Sequence, residues 1–208
     1  MDIAVKKVTA FVTRERSGAK ELLVFKHPSA GIQIPAGTVE DGECLETGVM
    51  REVYEETGLK LVKIEKFLGY VENELGENES VVSKTTQVYI RPRLNSTVCK
   101  EELARGFTVN FDSTHNGFTH ISYLEYDRIP NPTCIRYEIA GWVPSRNLSP
   151  QKARHFFQLT TLEETADGWD VKSDRDHIFK VYWTPLSPKP RIVPPQDKWL
   201  DFVYEQLQ

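Results

Sequence analysis

Residues 37–59 read GTVEDGECLETGVMREVYEETGL, and this stretch decides how the rest of the chain is read. Glu40, Asp41 and Glu43 crowd a helix start, where the positive end of the macrodipole favours anions. Gly58 supplies the residue type that commonly ends a helix. The reading is a helix from about Cys44 to Thr57 behind a glycine-bearing loop. At about 100° per residue, Glu56 lies about 40° to one side of Glu52 and Glu55 about 60° to the other. Leu45, Val49 and Val53 fall on the side of Glu56, so the carboxylate face overlaps the apolar face. Glu52 and Glu56 also repel each other as like charges at i,i+4. Glu55 and Glu56 stand in the last turn, where the dipole disfavours anions. A divalent cation such as Mg2+ or Mn2+ would answer all three objections, because hard cations take carboxylate oxygens. A solvated acidic helix end is the other reading, and these residues alone leave both open.

The whole chain bounds the choices. Its 208 residues suffice for one large domain, or a domain with an insertion. A formal net charge of −4 offers no footprint for duplex nucleic acid. No apolar run reaches membrane-span length, and MDIAVKKVTAFVTRE lacks a signal-peptide core, so no membrane association is expected. Cys44, Cys99 and Cys134 form no CxxC pair and read as reduced thiols of a cytoplasmic protein. The five histidines show no HxxxH or HxH spacing, which argues against zinc.

Upstream, 5–12 and 21–25 are β-type runs joined by the turn RERSGAK, a hairpin pattern. Ile32 and Ile34 belong to a short strand entering the Gly37 loop. Gly48, inside the helix, points to close packing, because glycine there costs roughly 1 kcal/mol against alanine. Downstream, LVKIEKFLGYV reads as strand. About 80–150 is a β-rich segment in which FTVNF, THISYLEYD and TCIRYEIAGWV are separated by turns, with a helical turn expected at 100–105. Strands follow at 154–162 and 177–186, linked by the polar loop EETADGWDVKSDRD, whose acidic positions do not fit an EF-hand. Five prolines in 184–195 form a stiff connector. Asp197 is expected to cap a final helix that carries Trp199, Phe202, Val203 and Leu207 on one face. The order is α+β around a mixed sheet.

Taken with its spacing, the opening stretch is Gly37, five residues, Glu43, seven residues, then REVYEETGL from Arg51 to Leu59. This resembles the Nudix box of the Nudix hydrolases at every defining position. The resemblance extends to IQIPAGTVEDGE and, more loosely, to HFFQL, HIFKVYWTPL and DKWLDFV. Residues of about 80–150 fall outside it. It implies an α/β/α sandwich with a mixed sheet between helices: one domain over residues 1–208, interrupted by the β-rich insertion. It also implies divalent-metal-dependent hydrolysis of a diphosphate linkage in a nucleoside diphosphate joined to another group. Glu52, Glu55 and Glu56 would be metal ligands, joined by the backbone carbonyl of Ala36. Arg51 would orient the glutamates and pair with Glu43, and Gly37 would let backbone approach the metal-phosphate assembly.

The general base is open among Glu163, Glu164, Asp174 and Asp176. Phe107, Phe111, Phe118, Tyr123, Tyr126, Tyr137 and Trp142 either build the insertion's own core, or stack a base, or form a homodimer interface. The competing function is a non-catalytic Nudix-fold module that binds nucleotide or a protein partner through the insertion.

Overall fold

The computed structural model describes residues 4–72, 75–128, 131–172 and 177–208. Chain order runs β1 (Val5–Arg16), β2 (Ala19–His27), β3 (Gly31–Gln33), β4 (Ala36–Thr38), α1 (Leu45–Thr57) and β5 (Val62–Glu72). Next come β6 (Glu79–Val82), β7 (Thr86–Tyr89), β8 (Val98–Leu103), β9 (Thr108–His115), β10 (Phe118–Tyr126) and β11 (Ile135–Pro144). A 3-10 turn at Ser145–Asn147 leads into β12 (Leu148–Ser149). Then follow β13 (Lys152–Thr161), β14 (Gly168–Lys172), β15 (Ile178–Pro185) and α2 (Gln196–Leu207). The chain is therefore α+β, mostly strand with two helices among the described residues. No helix there is long and apolar enough to cross a membrane.

The chain divides into two compact units: 8–70, 128–132 and 155–208 in one, and 1–7, 71–127 and 133–154 in the other. The first is organised on a sheet of order β14-β15-β2-β1-β13-β5, with β3 against β2 and β4 against β1. β1 and β2 form the expected hairpin, in register Arg16↔Ala19. Its two-residue turn places Ser17 and Gly18 at φ 52 and 79, the left-handed pair that matches strand twist. Residues 8–13 of β1 are buried without a break, as in a strand covered on both faces. Val8, Ala10 and Val12 pack with Phe157 and Leu159 of β13 and with Val49 and Val53 of α1. Phe11 alternates to the other face, where it meets Phe156, and Phe156 in turn meets Phe202 of α2. Each such side chain contributes roughly 1.5–3 kcal/mol when fully buried.

The helix α1 starts and stops where its sequence says. Cys44 caps it, its sulfur accepting from the Thr47 amide. Gly58 adopts φ 74 and donates its N–H to the Tyr54 carbonyl at 2.8 Å. Gly48 is tightly packed, since a Cβ there would lie 3.0 Å from a Glu43 carboxylate oxygen. The polar loop after β13 contains β14, which the sequence reading took as unstructured. Trp169 of β14 donates its indole N–H to the Thr57 carbonyl at 2.6 Å, satisfying one of the free acceptors of a helix C-terminus. The final helix also differs in its start: its N-cap position is Pro195, and Asp197 lies in the first turn. Trp199, Leu200, Val203 and Leu207 are buried, whereas Phe202 is half exposed.

The second unit holds a sheet of order β12-β6-β9-β10-β11-β7-β8. Asn116 and Gly117, at φ 50 and 76, make the turn of the β9–β10 hairpin. Val82, Val88, Leu103, Val109, Ile121, Ile139 and Val143 form its core, with Phe107, Phe111, Tyr123 and Tyr137 packed on it. Phe107 stacks on Tyr123 at 4.9 Å. The helical turn expected at 100–105 is instead β8, because pairing with β7 in register Thr86↔Leu103 buries Leu103. Tertiary pairing overrides the helix preference of a Lys-Glu-Glu-Leu run.

Candidate active site

The site is built where β4 meets α1. Arg51 is its hub. Its Nε donates to Glu43 Oε1 at 3.0 Å and its Nη2 to Glu43 Oε2 at 3.1 Å, a bidentate fork. Nη2 also donates to the Thr38 carbonyl at 3.0 Å, which fixes the guanidinium against β4. Nη1 reaches Glu52 Oε1 at 2.9 Å and Glu55 Oε2 at 3.0 Å. Glu56 takes a different partner, its Oε2 accepting the Ala36 amide N–H at 2.8 Å. Glu43 also accepts from the Glu40 amide at 2.9 Å, closing the loop ahead of the helix. All the residues singled out from the sequence (Ala36, Gly37, Glu43, Arg51, Glu52, Glu55 and Glu56) thus meet in one place.

The electrostatics follow from that geometry. Hydrogen bonds from Arg51 hold the Glu43 carboxyl below its usual range. The same pairing, with Glu43 as the largest contributor, pushes the Arg51 guanidinium further up. Glu52 goes the other way: burial raises it, and Arg51 only partly offsets that. One guanidinium therefore faces three carboxylates, those of Glu43, Glu52 and Glu55, and Glu56 adds a fourth to the site without a bond to Arg51. Among the described residues no group of three or more His, Cys, Asp or Glu is gathered around a common metal point. Glu52 and Glu55 are turned to Arg51 and Glu56 to the Ala36 amide. The donor set nonetheless fits a hard divalent cation: it is all oxygen, carries excess negative charge, and includes a buried carboxylate. Gly37 supplies the space, since a Cβ there would collide with the Glu52 carboxylate.

Of the acidic residues considered as a general base, Glu163 has another task. Its Oε1 accepts the amides of Lys60 and Leu61 at 2.7 and 3.0 Å. Asp174 and Asp176 lie outside the described residues, and Glu164 is exposed. The sequence reading missed an aromatic cluster on β5 and β13. Tyr70 stacks on His155 with centroids 5.6 Å apart and planes 16° apart, and Phe67 tilts against His155 and Phe157. Phe67 and Tyr70 are 49% and 52% exposed, high for large rings. His155 alternates with Phe156 and so shares the strand face of Phe157 and Leu159, the face that α1 covers. β4 lies against β1, and β13 and β5 follow β1 in the sheet. Two unmatched aromatics in an otherwise alternating strand were the available signal.

Comparison with known proteins shows the family. The NUDIX domain pattern matches residues 5–114, more than half of the chain, and the chain belongs to that family. It is 43% identical over 67 residues to YtkD of Bacillus subtilis (strain 168), provisionally named an 8-oxo-dGTP diphosphatase. That match covers 32% of this chain, and the chain spans only 40% of that relative's length. Among solved structures, the crystal structure of C. elegans Ap4A hydrolase aligns over 99% of this chain and 100% of its own, at 13% identity and a TM-score of 0.41.

Proposed function

We propose that this chain is a divalent-metal-dependent pyrophosphohydrolase. Its substrate class is a nucleoside diphosphate joined to another group. The observation that carries the reading is the Arg51-centred carboxylate cluster, in which Glu43, Glu52 and Glu55 share one guanidinium against the backbone of β4 and Glu56 is held beside them by the Ala36 amide. Glu52, Glu55, Glu56 and the Ala36 carbonyl are the residues that would hold Mg2+ or Mn2+. When bound, the cation screens the diphosphate charge and lowers the pKa of water. Arg51 holds Glu52 and Glu55 on one side of the helix, and Glu43 holds Arg51. Gly37 keeps the approach to Glu52 open for a phosphate oxygen. The exposed rings of Phe67 and Tyr70 on the same sheet face offer a planar base a stacking surface.

The fold reading in its finer form is an α/β/α sandwich, supported by α1 on the Val8–Ala10–Val12 face of β1 and by α2 reaching Phe156 on the other. We take residues 1–208 as one Nudix domain interrupted at about 80–150, with Phe107, Phe111, Tyr123 and Tyr137 as part of that segment's own core. Cytoplasmic residence is proposed from three free cysteines, Cys44, Cys99 and Cys134. Self-association through the insertion is a further proposal, read out by mass in solution after deletion of about 85–148.

The test is a Mg2+-dependent hydrolysis screen over nucleoside triphosphates, dinucleoside polyphosphates, nucleotide sugars, ADP-ribose and CDP-alcohols. Glu56→Gln can still accept the Ala36 amide and so stays folded, but it loses most activity, by about 100-fold or more. An unaltered rate in that variant, or no turnover of any substrate, would overturn the assignment. The latter result would favour the non-catalytic binding module.

A further inference from the structure

The unit built on β6–β12 has a pocket of its own, about 400 Å3 in volume, within the range of small-ligand sites. Ser80 of β6, Thr114 of β9, Thr119 of β10, and Ser145 and Arg146 of the 3-10 turn line it, together with Phe111 as an apolar wall. Strand register brings these together, because Thr119 stands directly opposite Thr114 across the β9–β10 hairpin. The pocket shares no residue with the carboxylate cluster.

Its hydroxyls can each donate one proton, and no carboxylate lines the pocket to take those protons. Thr119 Oγ1 and Ser145 Oγ lie 2.8 Å apart, so one hydroxyl proton bridges them and the other is left over. Ser80, Thr114 and Arg146 have no side-chain hydrogen bond or ion pair among the described residues. Ser80 and Thr119 are largely buried, at 9% and 6% exposure, which holds their hydroxyls in fixed positions on the pocket wall. The pocket is lined by no Asp or Glu, and its one charge is the Arg146 guanidinium. Spare hydroxyl donors and one planar cation, converging from several strands, match an oxyanion with acceptor oxygens in several directions.

We propose that this pocket binds phosphate, free or as a phosphate monoester, with Arg146 as the charged anchor and the hydroxyls of Ser80, Thr114 and Thr119 as additional donors. The binding requires neither the metal nor the carboxylates of α1. It gives the insertion a ligand of its own.

The experiment uses the full chain, labelled with 15N and kept in chelator, titrated with inorganic phosphate and separately with a nucleoside monophosphate. Chloride at matched ionic strength is the reference. Saturable shifts of the Ser80, Thr119 and Arg146 amides are expected. Arg146→Ala should weaken them by about tenfold or more, from loss of a charged hydrogen bond, and Arg146→Lys should retain part. Glu56→Gln should leave them unchanged, which separates this pocket from the α1 cluster. Saturation with phosphate alone identifies the free ion, and saturation only with the monophosphate shows that the organic part is needed. Arg146 is exposed, so its variants should melt like the parent. Absence of saturable shifts at these amides, or shifts that Arg146→Ala leaves untouched, would overturn the proposal.

Discussion

Arg51 spends every polar group of its side chain on the site, joining Glu43, Glu52, Glu55 and the Thr38 carbonyl. It is the counter-charge that lets a helix carry carboxylates on a partly buried face. Glu52 is still only partly compensated, which separates its role in stability from its role in chemistry. A carboxyl raised by burial binds its proton more tightly folded than unfolded. It therefore favours the folded state at low pH, and that contribution is lost as pH rises through its folded value. Glu43, lowered by Arg51, works in the opposite sense: its contribution is present above the unfolded carboxylate range and lost as pH falls through its folded value. Glu52→Gln keeps an acceptor for Arg51 and removes the buried charge. In metal-free buffer at neutral pH it should melt no lower than the parent, and its melting temperature should fall less steeply as pH rises above the carboxylate range. Hydrolysis should drop sharply. A lower melting temperature together with unchanged activity would show that Glu52 is a structural anion.

At the scale of elements, two assignments differ by what a single side chain does for its strand. Glu163 ties the segment after β13 to the start of β5 through the Lys60 and Leu61 amides, and those bonds lower its carboxyl. Its contribution is present above the unfolded carboxylate range and lost as pH falls through the folded value. Glu163→Ala should cost about 1 kcal/mol in urea unfolding and leave kcat alone; a large fall in kcat would return it to the list of general bases. Tyr70 is held by stacking on His155 and has half its surface open. Tyr70→Ala should raise KM for base-bearing substrates about three- to tenfold, in line with an aromatic pair worth roughly 0.5–1.5 kcal/mol. Tyr70→Phe should restore the parent value. Equal KM values in all three proteins would remove the platform from the substrate's path. Some elements were plain in the chain because their signals are local. Gly58 ends α1, and Ser17-Gly18 and Asn116-Gly117 turn the hairpins. β8 and β14 were not, because Lys-Glu-Glu-Leu and Gly-Trp-Asp-Val-Lys become strands only through the partners β7 and β15.

For the whole molecule, the proposed metal binding at α1 would be linked to folding. A cation that binds only the folded state raises stability by about 2.7 kcal/mol at a hundred times its dissociation constant. Mg2+ or Mn2+ should therefore raise the melting temperature, chelator should reverse the rise and abolish hydrolysis, and Glu56→Gln should blunt the rise. A melting curve indifferent to divalent ions would remove the metal from the site. The amino-acid sequence by itself determined the helix and the placing of its carboxylates, because helical periodicity converts spacing into position; the Arg51–Glu43 pairing was implied by the resemblance to the Nudix box. Tertiary structure alone decided that Glu56 meets the Ala36 amide, that Tyr70 finds His155, and that Ser80, Thr119 and Arg146 face a common pocket. Those pairs are separated by long stretches of chain, and only the register and order of the two sheets bring them together.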